Sequence, residues 1–124
     1  MRARLQKVGA VAAGAVLGLC LWASSAAAQD VPDSVGVALY RQHCRSCHGT
    51  KGVPPARMVT LYPKLETLAD SALQARLPVD SIVAILRQGK GKDMKSFADK
   101  LSAAEMAAVA KFVKTFGSPA PPGP

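Results

Sequence analysis

The stretch HCRSCHGT, residues 43–50, decides how the rest of the chain is interpreted. It places Cys44 and Cys47 three residues apart and puts His48 directly after the second cysteine. This C-x-x-C-H spacing is compatible with a disulfide, a redox dithiol, a zinc site or a haem attachment site. The choice among the four depends on the compartment of the chain and on the other ligands that the sequence offers.

The N-terminal segment has the pattern of a secretory signal peptide. Three basic residues precede an almost wholly apolar run of 16 residues, 8–23, and small residues with an A-x-A ending follow at Ala28. A retained membrane anchor is the weaker alternative, because about 20 apolar residues are needed to span a bilayer as a helix. We therefore predict a signal peptide over residues 1–28, cleavage before Gln29, and export, with the bacterial periplasm as the expected location.

The cleaved chain would be one small domain of 96 residues. Cys20 would leave with the signal peptide; a lipid-modified Cys20 is disfavoured by the bulky Leu19 before it. The remaining chain keeps 13 basic and 8 acidic residues, and its cysteines are Cys44 and Cys47. Domains of this size often need a disulfide, a metal or a cofactor for stability, and the candidates for that role lie in residues 43–50.

Covalent haem is the interpretation that the C-x-x-C-H motif favours. A disulfide between Cys44 and Cys47 would close a loop of four residues and remove little entropy from the unfolded chain. A redox dithiol would be expected beside a βαβ pattern, and the sequence has none. The two histidines lie too close to the cysteines to form a second zinc half-site. We predict one haem c bonded to both thiols, with His48 as the proximal iron ligand and His43 outside the iron site.

Met94 is the predicted second iron ligand. Met106 belongs to a helical apolar pattern behind an S-x-x-E capping box, which predicts a core residue. Met58 follows His48 by only ten residues and comes after two prolines, so it would hardly reach the opposite side of a haem. Met94 lies in a glycine-rich loop 46 residues beyond His48, and that length suffices because an extended residue spans about 3.3 Å.

The remaining pattern predicts an all-α domain over residues 29–117, with three to five helices wrapped around one haem. Strand alternation, internal repeats and a phosphate-binding loop are not found in the sequence. The predicted helices are 34–44 with Asp33 or Ser34 as the cap, 67–76, 78–88 and 103–116, with a loop over 49–66 and a disordered proline-rich tail over 118–124.

Residues 34–116 resemble the class I c-type cytochromes, which are small single-haem electron carriers. The segment GVALYRQHCRSCHG is similar to their first helix, with Gly36 eight and Tyr40 four residues before the first cysteine. The resemblance implies the small cytochrome c fold, in which this glycine lets the first helix cross the last one closely, at Val109 and Phe112.

The same resemblance implies roles for residues on both sides of a haem. The segment YPKL is similar to the family's P-x-L segment, so the Pro63 carbonyl would accept a hydrogen bond from His48 and Leu65 would pack on the haem. The segment LPVDSIVAILRQGKGKDMKSF is similar to the third helix and methionine loop, which again indicates Met94. The family often has proline after the methionine, and this chain has Lys95 there, which predicts a less stiff loop.

Single-electron transfer is the predicted function, because His48 and Met94 together leave no open position on iron for a substrate. The chain is therefore not expected to be an enzyme. A haem-based sensor or small-ligand binder with a displaceable Met94 is one alternative, and an electron-entry subunit of a larger oxidoreductase complex is another. Lys90, Lys92 and Lys95 would steer acidic redox partners if they lie near the haem edge, and an ordinary solvated lysine-rich loop is the equal alternative. Nucleic-acid binding and a stable membrane span after cleavage are not expected.

Overall fold

Helices form the regular structure of residues 31–118, which are the residues that the computed structural model describes. The predicted signal peptide and the predicted tail beyond Ser118 lie outside the described residues. None of the helices within residues 31–118 is long and apolar enough to cross a membrane. The described elements are α1 (Asp33–His43), α2 (Arg45–His48), α3 (Ala56–Leu61), α4 (Ser71–Arg76), α5 (Val79–Gln88), α6 (Ala103–Lys114) and a 3₁₀ turn (Thr115–Gly117).

The first and last helices cross closely at Gly36. A Cβ atom built on Gly36 would lie 2.3 Å from the carbonyl oxygen of Ala108 and 3.3 Å from the backbone nitrogen of Val109. Because real Cβ atoms essentially never approach a backbone oxygen so closely, only glycine permits this contact between α1 and α6. The close approach that the sequence predicts at Gly36 is therefore present.

Aromatic rings hold α1 against the C-terminal end of the chain. The Tyr40 ring lies edge-on to Phe112 and Phe116, with centroid distances of 5.3 and 5.1 Å. Phe112 and Phe116 also pack edge-on against each other at 5.0 Å. Edge-to-face aromatic pairs stabilise a fold beyond the contribution of apolar burial. The three rings pack against the buried core residues of α5 and α6. The buried residues of that core are Tyr40, Cys44, Ile82, Leu86, Leu101, Met106, Val109, Ala110 and Val113.

The start of α6 has the predicted capping box. The Ser102 hydroxyl accepts a 3.2 Å hydrogen bond from the Glu105 amide, and the Glu105 carboxylate accepts one of 2.7 Å from the Ser102 amide. These bonds satisfy two backbone donors that the first turn of a helix otherwise leaves free. The prediction for this helix start is confirmed, and α6 ends at Lys114 before the 3₁₀ turn.

Three local predictions were wrong. The residue before α1 is Pro32, so neither Asp33 nor Ser34 caps that helix. The predicted loop 49–66 contains α3, because Pro55 precedes it and has the fixed φ that suits a helix start. Helix α4 begins at Ser71 rather than 67, because the carboxylate of Asp70 accepts a 2.7 Å hydrogen bond from the Leu73 amide and caps it.

Candidate functional site

The C-x-x-C-H motif occupies the junction of α1 and α2. The Cys44 amide donates a 2.8 Å hydrogen bond to the Tyr40 carbonyl and so ends α1. The His48 amide then donates a 3.0 Å bond to the Cys44 carbonyl, and the Cys47 amide donates one of 3.2 Å to the same oxygen. The two cysteines and the histidine therefore belong to one hydrogen-bonded turn of backbone, which fixes their relative order in space.

No disulfide joins the two cysteines of the motif. Cys44 is buried in the hydrophobic core, and Cys47 is half-buried. Burial, and secondarily the neighbouring Cys47, raises the pKa of the Cys44 thiol to about 11, so this thiol is neutral at pH 7. Within the described part of the chain, no group of three or more His, Cys, Asp or Glu residues is arranged to hold a metal ion.

His48 is half-buried, and its Nδ1 atom is buried without a hydrogen-bond partner. Burial and the nearby positive charge of Lys90 lower the pKa of His48, which favours the neutral imidazole that binds metals. Buried polar atoms in proteins are nearly always paired, so His48 lacks a partner that the complete site would supply. The Pro63 carbonyl does not accept a bond from this nitrogen in the structure, and the role of Pro63 remains a prediction.

The chain leaves the motif through a tight turn at Gly49. This residue has a φ of 75°, and a Cβ built on it would lie 1.9 Å from the Val53 carbonyl oxygen. The Tyr40 hydroxyl donates a 2.7 Å hydrogen bond to the Gly49 carbonyl. Gly49 is therefore fixed by its own conformation and by Tyr40, and this restricts the backbone directly after His48.

Met94 lies in a short hairpin that begins at Gly89. The Lys90 amide donates a 2.8 Å hydrogen bond to the Met94 carbonyl, and the Met94 amide donates one of 3.4 Å to the Lys90 carbonyl. Gly89 has a φ of 79°, and a Cβ there would lie 2.6 Å from the Met94 carbonyl oxygen. Met94 is half-buried and packs against the hydrophobic core that contains Cys44. The loop thus brings a thioether to the core on which the motif sits.

The missing proline after Met94 is offset by hydrogen bonds from the two residues that follow Lys95. The Phe97 amide donates a 2.8 Å bond to the Leu86 carbonyl, and the Ser96 hydroxyl donates one of 2.6 Å to the Arg87 carbonyl. These bonds tie the loop back to the last turn of α5. The sequence predicted a less stiff loop at Lys95, but could not show this attachment.

The other methionines and the P-x-L segment occupy different places. Met106 is buried in the core on α6, as the sequence predicted, and Met58 is half-buried on α3. Pro63 is exposed, whereas Leu65 is half-buried and its amide donates a 2.9 Å bond to the Tyr62 carbonyl.

Glu66 is a residue near the site that sequence reasoning missed. Its carboxylate lies 2.6 Å from the Lys90 ammonium and 3.0 Å from the Arg76 guanidinium. It therefore connects the segment after α3 with α4 and with the hairpin of Met94. The sequence held one indication that Glu66 pairs with nearby cations, because it is the first acidic residue after Asp33.

An all-α domain with a C-x-x-C-H turn and a methionine hairpin on one core defines a c-type cytochrome domain. The family model described as "Cytochrome C oxidase, cbb3-type, subunit III" matches residues 32–113, so the chain belongs to this family of cytochrome c domains. Cytochrome c domains typically transfer electrons through haem and act with redox partners, rather than turn over a substrate.

Two solved structures show the same likeness. The chain is 31% identical to the KustC0563 c-type cytochrome, with a TM-score of 0.61 over 67% of this chain and 98% of that one. A point mutant of that cytochrome matches with a TM-score of 0.59 and 31% identity over 65% and 96% of the two chains. No curated protein matches. These likenesses confirm the predicted all-α cytochrome c fold.

Proposed function

We propose that this protein is a single-electron carrier with one covalently attached haem c. Cys44 and Cys47 would hold the haem through thioether bonds, and His48 and Met94 would bind its iron. The observation that supports this most strongly is structural: the C-x-x-C-H turn and the half-buried Met94 adjoin one hydrophobic core that contains Cys44. Membership of a c-type cytochrome family supports the same chemistry.

The residues of the site suit electron transfer rather than catalysis. Bound there, haem would supply a one-electron couple between ferrous and ferric iron, which a methionine ligand shifts towards the ferrous form. The lowered pKa of His48 keeps its imidazole neutral, so a nitrogen lone pair is free to bind iron. Met94 would be the second side chain that holds the iron, and with His48 it would leave no place there for oxygen or a substrate. We therefore propose that the protein is not an enzyme.

Export to a bacterial periplasm, after cleavage before Gln29, is part of the proposal and is supported by the signal-peptide pattern of residues 1–28. Redox proteins with acidic surfaces are the proposed partners, because the cleaved chain would keep 13 basic and 8 acidic residues. The ion pair with Glu66 partly neutralises Lys90, so Lys92 and Lys95 remain as the basic side chains of the methionine hairpin that have no ion pair among the described residues.

An electron-entry subunit of a larger oxidoreductase complex is the second candidate. The matching family, whose members are described as a subunit of a cytochrome oxidase, favours it. The sensor alternative is less well supported, because the hydrogen bonds of Phe97 and Ser96 hold the methionine hairpin against α5.

Covalent haem attachment is the direct test of the proposed function. The protein should be expressed in a host that attaches haem to exported chains, and then extracted with acidified acetone. We expect the colour to stay with the protein, and to be lost from a Cys44→Ala/Cys47→Ala double variant, while Cys20→Ala keeps it. Haem that washes out of the wild-type chain, or an apo mass with a disulfide, would refute the proposal.

Cell fractionation separates the two candidates. A free carrier should leave cells with the periplasmic extract and elute at the size of a monomer, whereas a subunit should remain with a larger complex. Haem staining of denaturing gels identifies the chain in each fraction.

A further inference from the structure

The methionine hairpin returns to helix α5 through the side chain of Ser96. The Ser96 hydroxyl donates a 2.6 Å hydrogen bond to the Arg87 carbonyl and accepts one of 3.1 Å from the Ala98 amide. We propose that Ser96 is a positioning residue for Met94: its hydroxyl holds the backbone that follows the methionine, so that the thioether stays on the iron when the iron is oxidised. This inference rests on the proposed function and concerns a residue that acts only through Met94.

The C-terminal end of α5 creates the need for these bonds. The last four carbonyls of a helix have no partner inside the helix, and in α5 they belong to residues 85–88. The Gly89 amide donates a 2.7 Å hydrogen bond to the Ile85 carbonyl. The Phe97 amide and the Ser96 hydroxyl donate to the next two carbonyls, at positions 86 and 87. The returning end of the hairpin therefore caps the same helix from which the hairpin starts.

Ser96 provides the nearest attachment on the C-terminal side of Met94. On the N-terminal side, the two backbone hydrogen bonds with Lys90 fix the methionine. The Lys95 amide, which follows Met94, donates no hydrogen bond among the described residues. Because a proline there would fix φ and a lysine leaves it free, the backbone after Met94 depends on the next residue for its conformation. That residue is Ser96, and its hydroxyl supplies the attachment.

Close contacts at Gly89 limit how the returning backbone can move. A Cβ on Gly89 would lie 2.6 Å from the Met94 carbonyl oxygen and 2.9 Å from the Ser96 amide nitrogen. The two ends of the hairpin therefore lie directly against each other, and a glycine with positive φ leaves room for this. Without the hydroxyl bond, the returning backbone can move only away from Gly89, and Met94 would move with it.

The oxidised protein would depend on this attachment more than the reduced protein. A methionine ligand favours ferrous iron, so the thioether of Met94 is held more weakly in the ferric state. An added ligand that competes with Met94 binds in proportion to the fraction of molecules in which the methionine has left the iron. A looser hairpin should therefore be detected as easier displacement of Met94 from ferric iron.

A purely structural role for Ser96 is the alternative. Its hydrogen bonds would then add to the stability of the whole domain, as bonds at a helix end do, without changing how firmly Met94 is held in the folded protein. Thr115 provides a matched comparison, because its hydroxyl donates a 2.7 Å bond to the Phe112 carbonyl at the end of a different helix, α6. The two hydroxyls differ in that only Ser96 belongs to the methionine hairpin.

Imidazole binding to the oxidised, haem-loaded protein tests the proposal. The near-infrared sulfur-to-iron band, followed during an imidazole titration, gives the apparent dissociation constant for displacement of Met94. Ser96→Ala should bind imidazole about two- to ten-fold more tightly than the wild type, which is the factor that one net hydrogen bond is worth. Ser96→Thr keeps the hydroxyl and should restore the wild-type constant. Amide hydrogen exchange at Phe97 should become faster in Ser96→Ala and not in Ser96→Thr.

Thr115→Ala is the control that separates positioning from general stability. It should lower the free energy of unfolding, as Ser96→Ala does, and leave the imidazole constant at the wild-type value. Two outcomes would overturn the positioning role while leaving His/Met ligation intact: an imidazole constant in Ser96→Ala equal to that of the wild type, or an equal change in Thr115→Ala. A wild-type protein without the sulfur-to-iron band would refute the proposed ligation instead.

Discussion

The hydroxyl of Tyr40 donates a 2.7 Å hydrogen bond to the carbonyl of Gly49, and the tyrosine is only 1% exposed. Burial raises the pKa of Tyr40 above its ordinary range, so the hydroxyl keeps its proton and remains a donor. The bond joins α1 to the residue directly after His48, across the full C-x-x-C-H motif. Since the Tyr40 ring packs on Phe112 and Phe116, the motif is also connected to the C-terminal end of the chain.

Replacing Tyr40 by phenylalanine should reduce stability and loosen the motif. The ring contacts would remain, but the buried Gly49 carbonyl would lose its partner, which costs about 1–3 kcal/mol. Denaturant unfolding of the haem-loaded protein measures the change in the free energy of unfolding. Tyr62→Phe is the matched control, because the Tyr62 hydroxyl makes no hydrogen bond within the described residues. Equal stabilities for the two variants would show that the Tyr40 bond contributes nothing.

Gly36→Ala should destabilise the protein, although alanine is the better helix former by about 1 kcal/mol. The added Cβ would collide with the Ala108 carbonyl, and α1 and α6 would have to separate. Overpacking of this kind typically costs about 1–3 kcal/mol. Thermal unfolding provides the measurement. A variant more stable than the wild type would show that Gly36 is not needed for the crossing of the two helices.

Lys90→Gln should loosen the hairpin of Met94. Lys90 forms the backbone bridge to Met94, and its side chain connects that bridge to Glu66. The paired side chains are 60% and 37% exposed, so the ion pair contributes less than about 1 kcal/mol. Amide hydrogen exchange at Met94 should become about two- to five-fold faster, because the loss of less than about 1 kcal/mol raises the population of the open hairpin by about that factor.

Two control variants separate the hairpin effect from a general loss of charge. Lys92→Gln removes an exposed charge in the same loop, and Arg76→Gln removes the other partner of Glu66. Both should leave the exchange rate at Met94 close to that of the wild type. A rate that is unchanged in Lys90→Gln, or equally fast in Lys92→Gln, would contradict the role of the ion pair.

The same ion pairs predict a dependence of stability on pH. Hydrogen bonds from Lys90 and then Arg76 lower the pKa of Glu66. A carboxylate with a lowered folded-state pKa adds stability above its unfolded pKa of about 4.3, and this stability is lost as the pH falls through the folded value. The difference in unfolding free energy between the wild type and Glu66→Gln should therefore be larger at neutral pH than at acidic pH. A difference that stays constant or grows on acidification would contradict this prediction.

The sequence predicted those features that depend on residues close together in the chain. The C-x-x-C-H motif, the capping box of Ser102 and Glu105, and the glycine at position 36 each have a short and specific pattern. Helix α5 was also predicted within one residue, because its apolar face is regular and Gly89 ends it. The fold class followed from these features together.

The sequence could not predict contacts between distant residues. The bond between Glu66 and Lys90 spans 24 residues, and it depends on where α4 and α5 place their ends. The segment that forms helix α3 was predicted to be a loop because prolines often break helices. Prolines can also begin helices, and Pro55 does so here. The pairing of Tyr40 with Gly49 requires the turn at His48 to bring the two together, which no local pattern shows.

The near-infrared absorption of the oxidised protein tests most directly that His48 and Met94 together bind the iron. A weak sulfur-to-iron band should be present in the wild type and in Met58→Leu and Met106→Leu, which preserve side-chain volume on α3 and in the buried core. Met94→Ala should lose the band, have a lower reduction potential, and bind carbon monoxide in the ferrous state. A band that persists in Met94→Ala, or a wild-type ferrous protein that readily binds carbon monoxide at neutral pH, would contradict His/Met ligation and favour the sensor alternative.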